Sequence, residues 1–250
     1  MLLTVDIGNT TVAVAAFAGE RLAFLRRLPT DTALDGPGWR DALGELLADT
    51  DPVRGCALAS VVPALTPKVA WAVTALTGAP VLTVDKDTPT GLPLGNYDAS
   101  NLGMDRVVDC VAALSRYAPP LAVFDMGTAT TLSVVGADGV FQGGMILPGL
   151  SLSLNALSAR AAQLPPITLS PPEGLIGANT EQCMRFGALY GAAGAIEGIV
   201  ARLEEQLGPL TVVLTGGNSA YVRPLLRIPT AWEPHLTFLG LRTLFERNQF

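Results

Sequence analysis

The chain has 250 residues, 49% of them hydrophobic and 15% charged, with a net charge of −6 and a pI near 4.8. A composition this apolar and this sparsely charged builds a buried globular core and excludes a disordered chain. The acidic balance argues against a nucleic-acid surface, because neutralising phosphates takes clustered Lys and Arg, and the only lysines are Lys68 and Lys86.

In chain order, apolar runs predict strands over 2–6, 11–17 and 21–28. A helix follows over 37–49, opened by Pro37 and carrying Trp39, Leu43, Leu46 and Leu47 at helical spacing. Residues 55–62 read as a buried strand, 63–76 as a helix and 81–84 as another buried strand. The segment Thr88 to Leu102, rich in Gly, Pro, Asn and Asp, reads as a loop. Gly103-Met104-Asp105-Arg106 then opens a helix whose apolar side, over 107–117, holds Val107, Val108, Val111 and Leu114. At Pro119-Pro120 the pattern restarts, with strands over 121–126, 130–136 and 139–146 and a helix over 150–161. A Pro-rich loop over 165–172, a long helix over 180–207, a buried strand over 211–215 and a helix over 236–247 complete it. Hairpins followed by helix–strand alternation, twice over, predict an α/β protein of two related domains, 1–118 and 119–250.

The restart repeats a motif. Asp6-Ile7-Gly8-Asn9-Thr10-Thr11 ends one apolar run, and Asp125-Met126-Gly127-Thr128-Ala129-Thr130-Thr131 ends another. Each leads through a second strand and a tight turn into a third. Two such hairpins suggest a duplicated fold with a shared cleft. A glycine at the turn lets a phosphate approach the backbone, the threonine hydroxyls donate to its oxygens, and Asp6 and Asp125 hold a cation or its water. Either copy alone is equally well an ordinary turn with a self-bonding Asp; the matched pair favours a phosphate-plus-metal site.

Other motifs are weaker. Gly216-Gly217-Asn218 ends a buried strand and allows close approach of a nucleotide sugar or base, or is simply a turn. Asp105 sits where a helix N-terminus favours a carboxylate, and Arg106 can hold an anion in a bidentate fork; a first-turn acid beside a surface arginine accounts for the same spacing. Tyr97, in the entry loop, favours a substrate pocket there. Gly187, Gly191, Gly194 and Gly198 recur along one helix; each costs about 1 kcal/mol there, which implies close packing against another backbone of the chain or of a partner subunit. Several chemistries are excluded. There is no Walker A loop, no kinase-type Gly-rich loop with a strand lysine, and no zinc-protease motif around the single His235. Cys56, Cys110 and Cys183 form no C-x-x-C pair, which fits a reducing, cytoplasmic compartment. Asp6 interrupts the first apolar run and no basic region precedes it, so no signal peptide is expected. No uninterrupted apolar run reaches about 18 residues, so no membrane span is expected.

Taken together, the motifs resemble the type III pantothenate kinases of the actin/hexokinase/Hsp70-like superfamily. The matching stretches run nearly the whole chain: Asp6 to Thr10, Ser60-Val61-Val62-Pro63, Thr90-Gly91-Leu92, Gly103-x-Asp105-Arg106 and Asp125 to Thr131. They continue with Gly143-Gly144-x-Ile146-x-Pro148-Gly149, Leu164-Pro165, Asn179-Thr180 and Thr215-Gly216-Gly217. Gly-x-Asp-Arg is the specific element; the first Asp-x-Gly and the Gly-Gly are superfamily-wide. The resemblance implies a duplicated actin-like (ribonuclease H-like) fold, with a mixed sheet flanked by helices in each domain. It implies ATP-dependent phosphorylation of pantothenate on its primary hydroxyl, the first step toward coenzyme A, with Asp105 as general base. It implies pantothenate on Tyr97, Gly103, Met104, Asp105, Arg106 and Thr180, with Thr180 acting across a homodimer interface. ATP with Mg²⁺ falls on Asp6, Ile7, Gly8, Asn9, Thr10, Thr11, Val12, Ala13 and Thr128, and a monovalent cation, K⁺ or NH₄⁺, on Asp125. Two departures stand out: Met104 replaces the usual Ala, and the loop from Tyr97 to Gly103 is one residue short and lacks its usual proline. A sugar or polyol kinase of the same superfamily, or a non-catalytic regulatory relative, are the competing readings.

Overall fold

The computed structural model describes residues 1–48, 50–161 and 163–248. Two five-stranded sheets repeat one plan. In the first, β1 (Leu2–Ile7), β2 (Thr11–Ala18) and β3 (Arg21–Pro29) form an antiparallel meander, and β4 (Gly55–Ser60) and β5 (Val81–Thr83) add in parallel, in the order β3-β2-β1-β4-β5. In the second, β6 (Leu121–Met126), β7 (Ala129–Val135) and β8 (Phe141–Pro148) repeat the meander, and β9 (Thr211–Thr215) and β10 (Ala231–Trp232) repeat the parallel pair, in the order β10-β9-β6-β7-β8. The strand-for-strand correspondence makes the fold a duplication. The two-residue β10 and the short α6 (Ser219–Val222) with its 3₁₀ turn (Arg223–Leu225) have no counterpart among the sequence-based expectations.

In the first unit, α1 (Gly36–Leu47) and α2 (Thr66–Thr77) cover one face of the sheet. Asp35 caps α1 by accepting from the Gly38 N–H, and Pro37 follows in the first turn, where its missing N–H costs nothing. The expected extension of this helix to Asp49 falls outside the described residues. Alternation along β1 sends Leu3, Val5 and Ile7 into a core with Trp39, Leu43, Leu65 and Val69. The opposite face belongs to α3 (Met104–Leu114) and α7 (Leu236–Arg247), which lie against each other, α7 also against β1 and β4. There Ala13, Ala15 and Phe17 pack on Phe238, and the Arg242 guanidinium lies 5.5 Å from the Phe17 ring centre. α3 begins at Met104 with Gly103 as its N-cap, in line with the expected Gly103–Arg106 opening, and it ends at Leu114, short of the expected 117.

In the second unit, α4 (Leu150–Arg160) and α5 (Thr180–Leu207) follow the meander, and Leu189, Ile196 and Val200 of α5 pack on Phe124, Met126 and Leu132. Compact units form from Met1–Leu92, Asp98–Ser115 and Leu236–Phe250 on one side, and Pro93–Tyr97 and Arg116–His235 on the other. The boundary expected at 118/119 separates the two sheets, but α7 belongs to the first unit and the short segment ending at Tyr97 to the second.

The structure bears on two expectations about α5. A Cβ built on Gly187, Gly191 or Gly194 meets nothing within 4 Å, and one on Gly198 meets only the Arg202 side chain at 3.4 Å. The glycine stripe therefore does not serve close packing within the chain; it lies open. Among the described residues, α5 is also the one helix long and apolar enough to cross a membrane by length and composition, with a mean hydropathy of 1.2 over its most apolar window. The same helix supplies Leu189, Ala193, Ile196 and Val200 to the core of its own unit.

Candidate active site

The first hairpin turns through Gly8, Asn9 and Thr10. The Gly8 N–H donates to the Thr11 carbonyl at 2.9 Å, and Thr30, just past β3, braces the loop from the side. The Thr30 hydroxyl donates to the Gly8 carbonyl at 2.6 Å, and its N–H to the Thr10 carbonyl at 3.1 Å. Ile7, Val12 and Ala13 are buried and fix the strands; Asn9 and Thr10 are exposed at the tip. Asp6 pairs with Ala13 across the ladder, so by alternation it stands on the face covered by α3 and α7.

Asp105 lies in the first turn of α3, on that same side of the sheet. Its Oδ1 is buried and finds no hydrogen-bond partner among the described residues. Burial pushes the carboxyl above its ordinary range; the backbone N–H and guanidinium of Arg106 act in the opposite direction and do not offset it. Gly103 is required by this arrangement, since a Cβ there would stand 2.3 Å from Oδ1. Met104 opens the helix half-buried, and Arg106 is buried, 8% exposed. Unit one thus holds the Asp6 hairpin and the Asp105 helix start, with both acids on one side of its sheet.

The second hairpin is not a copy in detail. Register pairs Met126 with Thr130 but Ile7 with Val12, so the second turn is one residue shorter. The ladder places Thr131 and Thr215 on either side of Asp125, where Asp6 has Ala13 and Ala59. Asp125 is therefore flanked by hydroxyls on both neighbouring strands, and Asp6 by methyl groups. The turn is held by Asn218, whose side-chain amide donates to the Gly127 carbonyl at 3.0 Å and whose N–H donates to the Met126 carbonyl at 3.0 Å. Thr128 is exposed at the tip. Gly216, with φ of 83°, lies so close that a Cβ on it would stand 2.3 Å from the Asp125 Oδ1. Asn218 and Tyr221 also line a cavity of about 360 Å³, together with Ser151, Leu154, Asn155 and Leu169.

Tyr97 meets Phe141 edge-on, ring centres 5.0 Å apart, and lies over Gly143, where a Cβ would approach it to 3.1 Å. Thr180 is exposed on the first turn of α5. That helix is capped by Asn179, which accepts from the Gln182 N–H at 2.9 Å, while Gln182 Oε1 accepts from the Ala178 N–H at 2.8 Å. Unit two thus holds Asp125, Thr128, Tyr97 and Thr180. Among the described residues no group of three or more His, Cys, Asp or Glu side chains gathers to hold a metal ion. A cation there would draw on fewer than three such side chains, completed by hydroxyl, carbonyl, water or phosphate oxygens, a hard-ion donor set. Sequence reasoning missed Thr30, which braces the first hairpin, and the Thr237 hydroxyl of α7 that donates to the Asp109 Oδ1 of α3 at 2.7 Å. Their only local signal is a polar side chain in an apolar run or at a strand end.

Two sheets of the same order, each opening with an acidic glycine hairpin, define an actin-like fold. Solved structures of that fold cover the chain almost end to end. A protein described as a Baf family transcriptional activator from Campylobacter jejuni aligns with a TM-score of 0.63 at 17% identity, covering 98% of each chain. MreB 5 of Spiroplasma citri bound to AMPPNP aligns with a TM-score of 0.55 at 12% identity, covering 99% of this chain and 96% of that one. At such identities they speak for the fold alone. Sequence is more specific: the family model for type III pantothenate kinase matches residues 2–202. The type III pantothenate kinase of Roseiflexus sp. is 38% identical over 254 residues, covering all of both chains, and that of Moorella thermoacetica 36% over 253 residues, covering 99% of this chain and all of its own. The chain belongs to the type III pantothenate kinase family.

Proposed function

We propose that the protein transfers the γ-phosphoryl group of ATP to the primary hydroxyl of pantothenate, forming 4'-phosphopantothenate on the way to coenzyme A. The observation that carries the chemistry is Asp105, a carboxylate with a buried, unpaired acceptor oxygen and a raised pKa. It takes the hydroxyl proton as the hydroxyl oxygen bonds to the γ-phosphorus and the bridging oxygen leaves with ADP. Asp6 to Ala13 and Thr128 hold the ATP phosphates, and Mg²⁺ enters with them. The Asn218 cavity takes the adenosine end. Tyr97, Gly103, Met104, Arg106 and Thr180 bind pantothenate, with the Arg106 guanidinium matching its carboxylate. Phosphoryl transfer needs placement and charge neutralisation above all, and with no P-loop lysine these come from hydroxyls, backbone amides and cations. In a coupled assay, ADP release is expected only when pantothenate is supplied. Release with hexoses or polyols and none with pantothenate overturns the reading, since a sugar offers Arg106 no carboxylate.

Asp125 is the position of a monovalent cation, supported by the flanking Thr131 and Thr215. Such an ion supplies positive charge beside the phosphates. Turnover is expected to fall severalfold when Na⁺ replaces K⁺ or NH₄⁺; equal rates remove the assignment. The protein acts in the cytoplasm, in keeping with three free cysteines. It acts as a homodimer, and the open glycine stripe of α5 supports a partner-facing helix. Light scattering is expected to return twice the 26.0 kDa chain mass; a single chain mass at micromolar concentration contradicts it.

A further inference from the structure

We infer that Thr237 and Asp109 form a positioning pair that aims Asp105, an inference that rests on the reading of Asp105 as the base. Asp109 is 2% exposed on an otherwise apolar stretch of α3, a costly place for a carboxylate. It lies four residues after Asp105, one turn further along the same helix face. The Thr237 hydroxyl, in the first turn of α7, donates to its Oδ1 at 2.7 Å. One residue away on α3 and three away on α7, a second constraint acts: a Cβ on Gly240 would stand 2.2 Å from the Val108 carbonyl oxygen, so the two backbones meet there without a side chain between them.

A polar tie and a backbone contact at adjacent points leave α3 little freedom to roll or slide on α7. Roll is what the chemistry would feel. A carboxylate oxygen ~5–6 Å from a helix axis moves about 1 Å for a roll of about 10°, and an error of about 1 Å in a reacting group costs on the order of a hundredfold in rate. The same α7 also lies against β1, the strand that leads into the Asp6 hairpin. It is therefore the common support of the phosphate loop and the base within unit one. The pair touches neither substrate; it acts through Asp105.

The test is Thr237→Val, which keeps the shape and removes the donor, beside Thr237→Ser, which keeps the donor, with Thr237→Ala standing in if valine impairs folding. Thermal melts fix the folded fraction of each at the assay temperature. We expect kcat per folded enzyme to fall about tenfold or more in Thr237→Val, KM for ATP to hold within about twofold, and Thr237→Ser to recover most of the rate. In an Asp105→Asn background the valine substitution is expected to add no further loss, because no carboxylate remains to be aimed. Wild-type kcat in Thr237→Val, failure of serine to rescue, or a full multiplicative loss in the Asp105→Asn background overturns the inference. If Asp105→Asn itself keeps the wild-type rate, the base assignment falls and this inference with it. If Asp105→Asn is inactive while Thr237→Val is not, only the inference falls.

Discussion

Asp105→Asn is expected to remove most turnover while making the protein more stable. Asparagine keeps the shape at the start of α3 and cannot accept a proton at the attacking hydroxyl. General-base removal of this kind costs about 10²–10⁴-fold in kcat. ATP binding is expected to stay near wild type, because the Asp6 hairpin belongs to separate residues. The stability side follows from burial. The folded-state pKa of Asp105 is raised, so the native state holds the proton more tightly than the unfolded chain does. Its contribution is harmless below the unfolded value of about 3.9, turns unfavourable as pH rises through the folded pKa, and stays so at neutral pH. The neutral amide removes that penalty. A melting point above wild type at pH 7, with no gain at strongly acidic pH, is the expected result, read on a scale of about 2–4 °C for each kcal/mol in a chain this long. The pH profile gives a second measurement. The acid limb of kcat/KM is expected above the ordinary carboxylate range, with a one-proton slope, and is expected to vanish from the residual activity of the asparagine variant. A wild-type rate in Asp105→Asn, measured by pantothenate-dependent ADP release, would remove the base assignment.

That a stabilising change should destroy activity fits a site in which a carboxylate with one unpartnered oxygen is kept buried against its own preference. Local features were legible because local physics makes them. The two hairpins, the strand–turn–strand spacing around Asp6 and Asp125, and the long helix at 180–207 all follow from periodicity and turn chemistry within a dozen residues. The α6 turn and β10 were not legible, because four and two residues are too few to show a period. Placement of α7 was hidden for a different reason. Its partners on β1, β4 and α3 lie more than a hundred residues earlier, and the Thr237–Asp109 bond spans 128 positions. The inequality of the hairpins lay in between. Both motifs look alike as strings, but only the register with β7 and β9 reveals that Asp125 has Thr131 and Thr215 for neighbours while Asp6 has alanines.

Gly216→Ala is expected to be the most damaging single-methyl change at the second hairpin. Two independent costs meet there. The φ of 83° is a conformation L side chains resist, worth about 1–2 kcal/mol, and the added Cβ has no room, which in a packed region costs about 1–3 kcal/mol more. The clash is not one a side chain can relieve by turning aside: besides the Asp125 Oδ1 at 2.3 Å, the Cβ meets the Met126 backbone nitrogen at 2.5 Å and its carbonyl carbon at 2.6 Å. Either β9 or the turn after β6 has to shift, and Asp125 and the Asn218-braced loop move with it. Thermal or urea unfolding should therefore record a loss of about 2–5 kcal/mol, and the KM for ATP of the remaining folded enzyme should rise at least about tenfold, as expected when a phosphate-binding group is displaced by about 1 Å. The neighbouring glycine supplies the control. A Cβ on Gly217 meets nothing within 4 Å, and its φ is not in the left-handed region. Gly217→Ala should accordingly stay within about 0.5 kcal/mol of wild type or gain slightly, since alanine restricts the unfolded chain. Equal damage at both positions would contradict the steric argument and point instead to a ligand that needs bare backbone at Gly217. Damage confined to Gly216 would tie the requirement to the space beside Asp125.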